Sequence, residues 1–198
     1  MRIISGKFKG ITLDGPKDKK IRPLKDMVRE SVFNLLSHSN KISVQLKKSN
    51  VLDLYSGTGS FGLECISREA GEVVFIEKEK EAIKILETNI NKLKAKDITR
   101  IFFSDVFHVL KKKDKTSFYS FLQMKFDIIF CDPPFKDTNI NDLIELIIEK
   151  KLLKNNGIII LHVHKSTDEK LNFNFKILDK RIYGLSKIIF GKPLTNSS

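Results

Sequence analysis

"VLDLYSGTGSFGLE", Val51 to Glu64, decides the fold. Asn50–Leu54 is a short strand, and through three glycines it runs into a segment near 60–70 that reads as a helix. The strand is apolar on both faces, so both faces need cover. That is the mark of a parallel sheet lying between helices. The same alternation continues downstream. Strand Glu72–Ile76 leads to a helix near 78–94, and strand Thr99–Phe103 to a short helical piece. Strand Phe126–Cys131 leads to a helix near 139–152, and strand Gly157–Val163 follows. The pattern then changes. "FKILDKRIYGLSKIIFG" holds two strand-like runs joined by a tight turn at Tyr183-Gly184. A hairpin there closes the sheet with one antiparallel strand.

Upstream, residues 2–14 read as a small hairpin around Gly6 and Gly10. Residues 23–37 read as a helix, with Pro23 in its first turn and Val28, Val32, Leu35 and Leu36 on one face. The expected organisation is an extension over 1–40 and an α/β domain over 41–198. Apolar runs are too short to span a membrane, and the first residues lack the apolar core of a signal peptide. Cys65 and Cys131 form no CxxC pair, which suits buried structural thiols in a reducing cytoplasm.

The net charge is +12. Residues 1–50 hold 12 Lys/Arg against 4 Asp/Glu, which leaves only +4 for the rest. A basic arm ahead of a nearly balanced domain points to a polyanion such as nucleic acid. Lysine-rich composition, in a chain also rich in Ile and Asn, offers a plainer source of the same charge.

Ligands of such a sheet bind beyond the carboxyl ends of the strands, so each strand exit is a candidate. Gly57, Gly59 and Gly62 match a dinucleotide fingerprint in form. Asp53 just before them would repel a pyrophosphate and attract a cation. S-adenosylmethionine carries a sulfonium and an ammonium and no phosphate, so the acid favours that cofactor. Glu77 ends the second strand, where it can accept ribose hydroxyls or simply open a charged helix. Asp105 follows the third strand, where it can accept the adenine amino group or cap the next helix.

The fourth exit, Asp132-Pro133-Pro134-Phe135, is unusual. Proline has no N–H and forces its predecessor into an extended form. A carboxylate also only accepts. The corner therefore accepts hydrogen bonds and offers none, which fits a substrate NH2 group. Phe135 adds a flat surface for the ring that carries the amine.

Together these motifs resemble class I S-adenosylmethionine-dependent methyltransferases with a D/N-P-P-Y/F motif. "RPLKDMVRESVFNLL" (Arg22–Leu36), "LDLYSGTGSFGLE" (Leu52–Glu64) and "FDIIFCDPPF" (Phe126–Phe135) narrow the likeness to the bacterial RsmD family. That resemblance covers nearly the whole chain. It implies a Rossmann-like, seven-stranded, mostly parallel sheet with its last strand antiparallel. It implies methylation of a guanine N2 in small-subunit ribosomal RNA, naked or in an assembling particle, by a cytoplasmic monomer. Asp132 and the Pro133 carbonyl would hold the amine, and Phe135 would stack on the base. Asp53, Gly57, Gly59, Glu77 and Asp105 would serve the cofactor, and Arg22 and Arg29 would meet RNA phosphates. The rival readings are an adenine or protein-glutamine methyltransferase and a non-enzymatic nucleic-acid-binding module. One departure stands out: many members carry an acid where the fifth strand ends, and this chain reads Leu161-His162-Val163-His164. The two histidines face one side of a strand but have no evident third ligand, so no metal is expected.

Overall fold

The computed structural model describes residues 1–16, 26–112, 123–136, 139–167 and 174–194. Seven strands form one sheet: β1 (Asn50–Leu54), β2 (Glu72–Glu77), β3 (Thr99–Phe103), β4 (Phe126–Cys131), β5 (Leu153–His164), β6 (Phe175–Tyr183) and β7 (Ser186–Pro193). Their order is β3-β2-β1-β4-β5-β7-β6. The first five run parallel, and β7 is antiparallel to both of its neighbours. The last strand in sequence is thus not at the edge; it lies between β5 and β6. β1 and β4 are adjacent in space and diverge in connection, so the switch point lies between them.

Alternate residues of the strands feed two cores. Val51, Phe75, Ile128, Phe130, Ile160 and Phe190 face α1 (Asp26–His38), α2 (Ser60–Ser67) and α3 (Lys80–Lys92). Leu52, Leu54, Ile76, Ile129, Leu161 and Ile189 face α4 (Val106–Lys111) and α5 (Ile140–Glu149). Period-two alternation with both sets apolar is what a doubly covered sheet requires. Across the first core, Phe33, Phe61 and Phe130 stack in series at 5.1 and 4.1 Å between ring centroids.

Three helices end sooner than their sequences suggest. Glu69, Lys94 and Lys151 adopt positive φ two residues past α2, α3 and α5. The amides of Ala70, Ala95 and Leu152 then reach back to the carbonyls of Cys65, Ile90 and Ile147. This closes the last turns in the Schellman pattern. β5 begins earlier than expected, at Leu153, with a register shift against β4 between Phe126 and Ile128.

The N-terminal segment forms a hairpin: Arg2 bridges Thr12, and the Leu13 amide donates to the Met1 carbonyl. It is bolted to α2 through the buried Glu64. That carboxylate accepts from the Ile4 and Ser5 amides at 2.8 and 3.0 Å and from Arg68 Nε at 2.9 Å. Ile3 and Leu13 join the same core as α1 and the sheet. Among the described residues, no helix is long and apolar enough to cross a membrane.

Candidate active site

A cavity of about 650 Å³ opens at the carboxyl ends of the parallel strands. One side is built from Gly57, Ile76, Glu77, Ala82, Ser104 and Val106. The other is built from Asp132, Pro133, Pro134, Phe135 and His162, closed by Tyr183, Leu185 and Ser186 of the β6–β7 turn. The Tyr183 hydroxyl also meets Ser31 of α1, which ties that turn to the N-terminal helix. Two readings from sequence therefore converge on one cavity: the glycine loop with Glu77, and the Asp-Pro-Pro-Phe corner.

Glu77 is 8% exposed. Its Oε2 accepts from the Gly57 amide at 2.7 Å, and its Oε1 from the Lys78 and Glu79 amides at 2.8 and 2.9 Å. A carboxylate has about four acceptor sites. Three N–H groups leave room for about one ligand hydroxyl rather than a full two-hydroxyl clasp. Glu77 fixes the loop and faces the cavity at once.

Asp53, Gly59 and Asp105 stand behind the wall rather than on it. Asp53 lies on the α2 side of β1, where its Oδ2 accepts from the Gly62 amide at 3.0 Å. Burial pushes its carboxyl well above the usual range; the Gly62 N–H opposes that rise, and repulsion from Asp132 and Glu77 adds to it. That bond ties it to the start of α2. Gly59 takes φ +84° at the α2 N-terminus, where a Cβ would lie 2.4 Å from Leu86. Gly62 would put a Cβ 2.3 Å from the Phe75 ring. Asp105 caps α4: its Oδ1 accepts from the Phe107 and His108 amides at 3.0 and 3.2 Å, and Lys78 Nζ approaches Oδ2 at 3.4 Å. The cap, one of two roles open to Asp105, is the one seen; Ser104 and Val106 on either side line the cavity.

Arg29 requires a correction. It points into the first core, 0% exposed, with Nη2 donating to the Arg2 carbonyl and to Asp26 at 2.9 Å. It stands four residues before Phe33 on the apolar face of α1, so it cannot present a charge to a phosphate from there. Arg22 lies outside the described residues.

The opposite wall is more tightly organised than the sequence suggested. The Asp132 amide donates to the Leu54 carbonyl at 3.2 Å, locking the β4 exit to β1. His162 Nδ1 lies 2.7 Å from Asp132 Oδ1, and its Nε2 lies 2.8 Å from Ser186 Oγ. Phe135 meets the rings of His162 and His164 edge-on, at 5.3 and 5.5 Å. The two histidines do share one face of β5, and His164 Nδ1 pairs with Ser166 Oγ at 2.6 Å.

The cavity fits the cofactor inferred from sequence. Its charged lining is Glu77, Glu79 and Asp132 against Lys78, an acidic balance that suits a cation and repels phosphate. Ile76, Ala82 and Val106 give an apolar wall for a flat ring. The buried hydroxyls of Ser56 and Thr58 flank Gly57 with no hydrogen-bond partner among the described residues.

The comparisons agree with this architecture. A family model described as "Conserved hypothetical protein 95" matches residues 1–192. A protein of Buchnera aphidicola subsp. Baizongia pistaciae named "Ribosomal RNA small subunit methyltransferase D" is 35% identical over 161 residues, which are 81% of this chain and 74% of the relative. The Escherichia coli K12 protein of the same name is 30% identical over 159 residues, or 80% and 72%. A solved structure from Haemophilus influenzae, named "putative methylase HI0767", superposes with a TM-score of 0.74 at 27% identity over 98% of both chains. One from Escherichia coli reaches 0.81 at 24% identity over 99% of both, which speaks for the fold. The chain belongs to this family, the RsmD family of S-adenosylmethionine-dependent methyltransferases.

Proposed function

We propose that this protein methylates the exocyclic N2 of a guanine in small-subunit ribosomal RNA. The observation that carries the reading is the acceptor-only corner Asp132-Pro133-Pro134, set in the same cavity as Glu77 and the glycine loop. Relatives named for small-subunit ribosomal RNA methylation support the substrate class. S-adenosylmethionine, when bound, supplies the electrophilic methyl group. The protein's own part is placement. Glu77 and the Gly57 loop anchor one reactant on the β1–β2 side. Asp132 and the Pro133 carbonyl accept the two protons of the amine, which turns its lone pair toward the methyl. Phe135 stacks on the base, which leaves its own helix to enter. Holding both partners in line is worth several orders of magnitude in rate. Guanine presents N1–H beside its N2 amine, two adjacent donors for an acceptor corner; adenine presents an acceptor there instead.

The basic arm is the proposed RNA contact. Lys7 and Lys9 are exposed on the N-terminal hairpin, which α2 holds in place, and Arg22 belongs to the same stretch. Small-subunit ribosomal RNA, naked or in an assembling particle, is the proposed substrate, the cytoplasm the proposed place of work and a monomer the proposed form. The test is nucleoside mass spectrometry of ribosomal RNA from a deletion strain, before and after complementation. Loss and return of N2-methylguanine is expected. N6-methyladenine, or no missing nucleoside, would reject the proposal.

A further inference from the structure

We infer that His162 is a positioning residue for methyl transfer: it holds Asp132 and Phe135 in their working orientation, and Ser186 holds its ring. The inference rests on the proposed role of Asp132 as acceptor of the target amine. It deepens that role by asking what keeps the carboxylate still.

The sheet brings the three together. Cys131 pairs with Leu161 across β4 and β5, so the next residues, Asp132 and His162, lie side by side at the strand ends. Ser186 opens β7 opposite His164, on the edge of β5 that faces away from β4. A one-residue slip of either pairing would send the side chain to the other face of the sheet. His162 is only 7% exposed, and both of its ring nitrogens are engaged, at 2.7 and 2.8 Å. A carboxylate accepts only, so Nδ1 carries the proton toward Asp132. In the neutral imidazole Nε2 is then bare and accepts from the Ser186 hydroxyl. The carboxylate therefore fixes the tautomer, and the hydroxyl anchors the far side of the ring.

The chemical consequence follows. One Asp132 oxygen is committed to His162, so the other is left for the amine, with the Pro133 carbonyl as second acceptor. Two acceptors at fixed separation match the two protons of one NH2 group. The same imidazole is packed edge-on against Phe135, with His164 beside it. One side chain thus sets both the acceptor and the stacking plane. An acid at position 162 would repel Asp132 and could not donate to it.

Three variants test this. His162→Phe keeps a ring against Phe135 but removes the donor. His162→Asn restores an N–H close to the Nδ1 position. Ser186→Ala frees the far side of the ring. With a small-subunit RNA substrate, His162→Phe should lower kcat on the order of 10- to 100-fold, the cost of slight misplacement. Its Kd for S-adenosylhomocysteine should stay near wild type. His162→Asn should recover most of the rate, and Ser186→Ala should lose a few-fold. Proton NMR should show a downfield imidazole N–H that vanishes in both His162→Phe and Asp132→Ala. Wild-type kcat in His162→Phe, no rescue by His162→Asn, or a downfield proton that survives Asp132→Ala would overturn the assignment. Full turnover by Asp132→Ala would instead overturn the acceptor corner itself, whatever His162 does.

Discussion

Consider the exchange of one atom, Glu77→Gln. The native carboxylate receives three backbone N–H groups from Gly57, Lys78 and Glu79, at 2.7 to 2.9 Å. Hydrogen bonds to a charged group contribute about 1.5–3 kcal/mol each. At 8% exposure, little water can take their place. The amide can keep its oxygen on Lys78 and Glu79, but its NH2 then meets the Gly57 N–H donor to donor. The flipped amide is worse, with two donors opposed. One bond is lost outright and two lose their charge assistance, for a net cost of about 2–4 kcal/mol in stability. For a chain of this size that is roughly 5–10 °C in melting temperature. The displaced loop carries Gly57 into the cavity, so affinity for S-adenosylhomocysteine should also fall about 30- to 100-fold, or about 2–3 kcal/mol. Differential scanning calorimetry reads the first effect and titration calorimetry the second. A lowered melting point with unchanged affinity would reduce Glu77 to a loop staple. No change in either would refute the argument that its hydrogen bonds organise the site.

Four further outcomes are expected. Asp132→Ala should lower methyl transfer on the order of a hundredfold or more while leaving S-adenosylhomocysteine binding in place, as single-turnover kinetics beside calorimetry can decide. Asp53→Asn should stabilise the protein increasingly as pH rises. An unfolded Asp loses its proton near 3.9, whereas burial keeps the folded carboxyl protonated to higher pH. The folded state then binds more protons than the unfolded one, and wild-type stability falls through that window. Denaturation of both proteins at pH 4.5 and 7.5 should show the gap widening, and a constant gap would contradict the assignment. Gly62→Ala should cost about 1–3 kcal/mol by pressing a methyl on Phe75, measurable by chemical denaturation. Cys65 and Cys131 are fully buried and burial raises both thiols, so neither should react with iodoacetamide until the chain unfolds.

The first four parallel strands were legible because each is a short apolar run with a glycine or an acid at its end or within three residues of it. Glu77 and Asp132 were legible for the same reason: each stands at a strand exit. Position alone makes Asp53 a cofactor acid. Alternation along β1 puts it with Val51 on the α2 side, while Leu52 and Leu54 face the other core. Arg29 was misjudged by charge alone; its spacing from Phe33 marks the buried face of α1. The helix ends were overrun because Glu69, Lys94 and Lys151 take the left-handed turn that usually announces itself with glycine. The bond between His162 and Asp132 was hidden for a deeper reason. It joins residues 30 apart through strand register, and no local pattern records which strands become neighbours.

The placing of β7 between β5 and β6 also sets a timetable for synthesis. When β5 leaves the ribosome, the next strand to emerge is not its partner. Among the described residues β6 pairs only with β7, so the edge of β5 stays open until the hairpin has been made whole. That edge includes Ile158–Val163, an apolar stretch of the kind that pairs with stray chains. From His164 to Pro193 the ribosome needs roughly 1.5–6 s at about 5–20 residues per second. For those seconds the nascent chain carries an unpaired, sticky strand and a pocket without its far wall. Its fate in that interval depends on staying tethered and dilute, and only the finished chain has a complete active site.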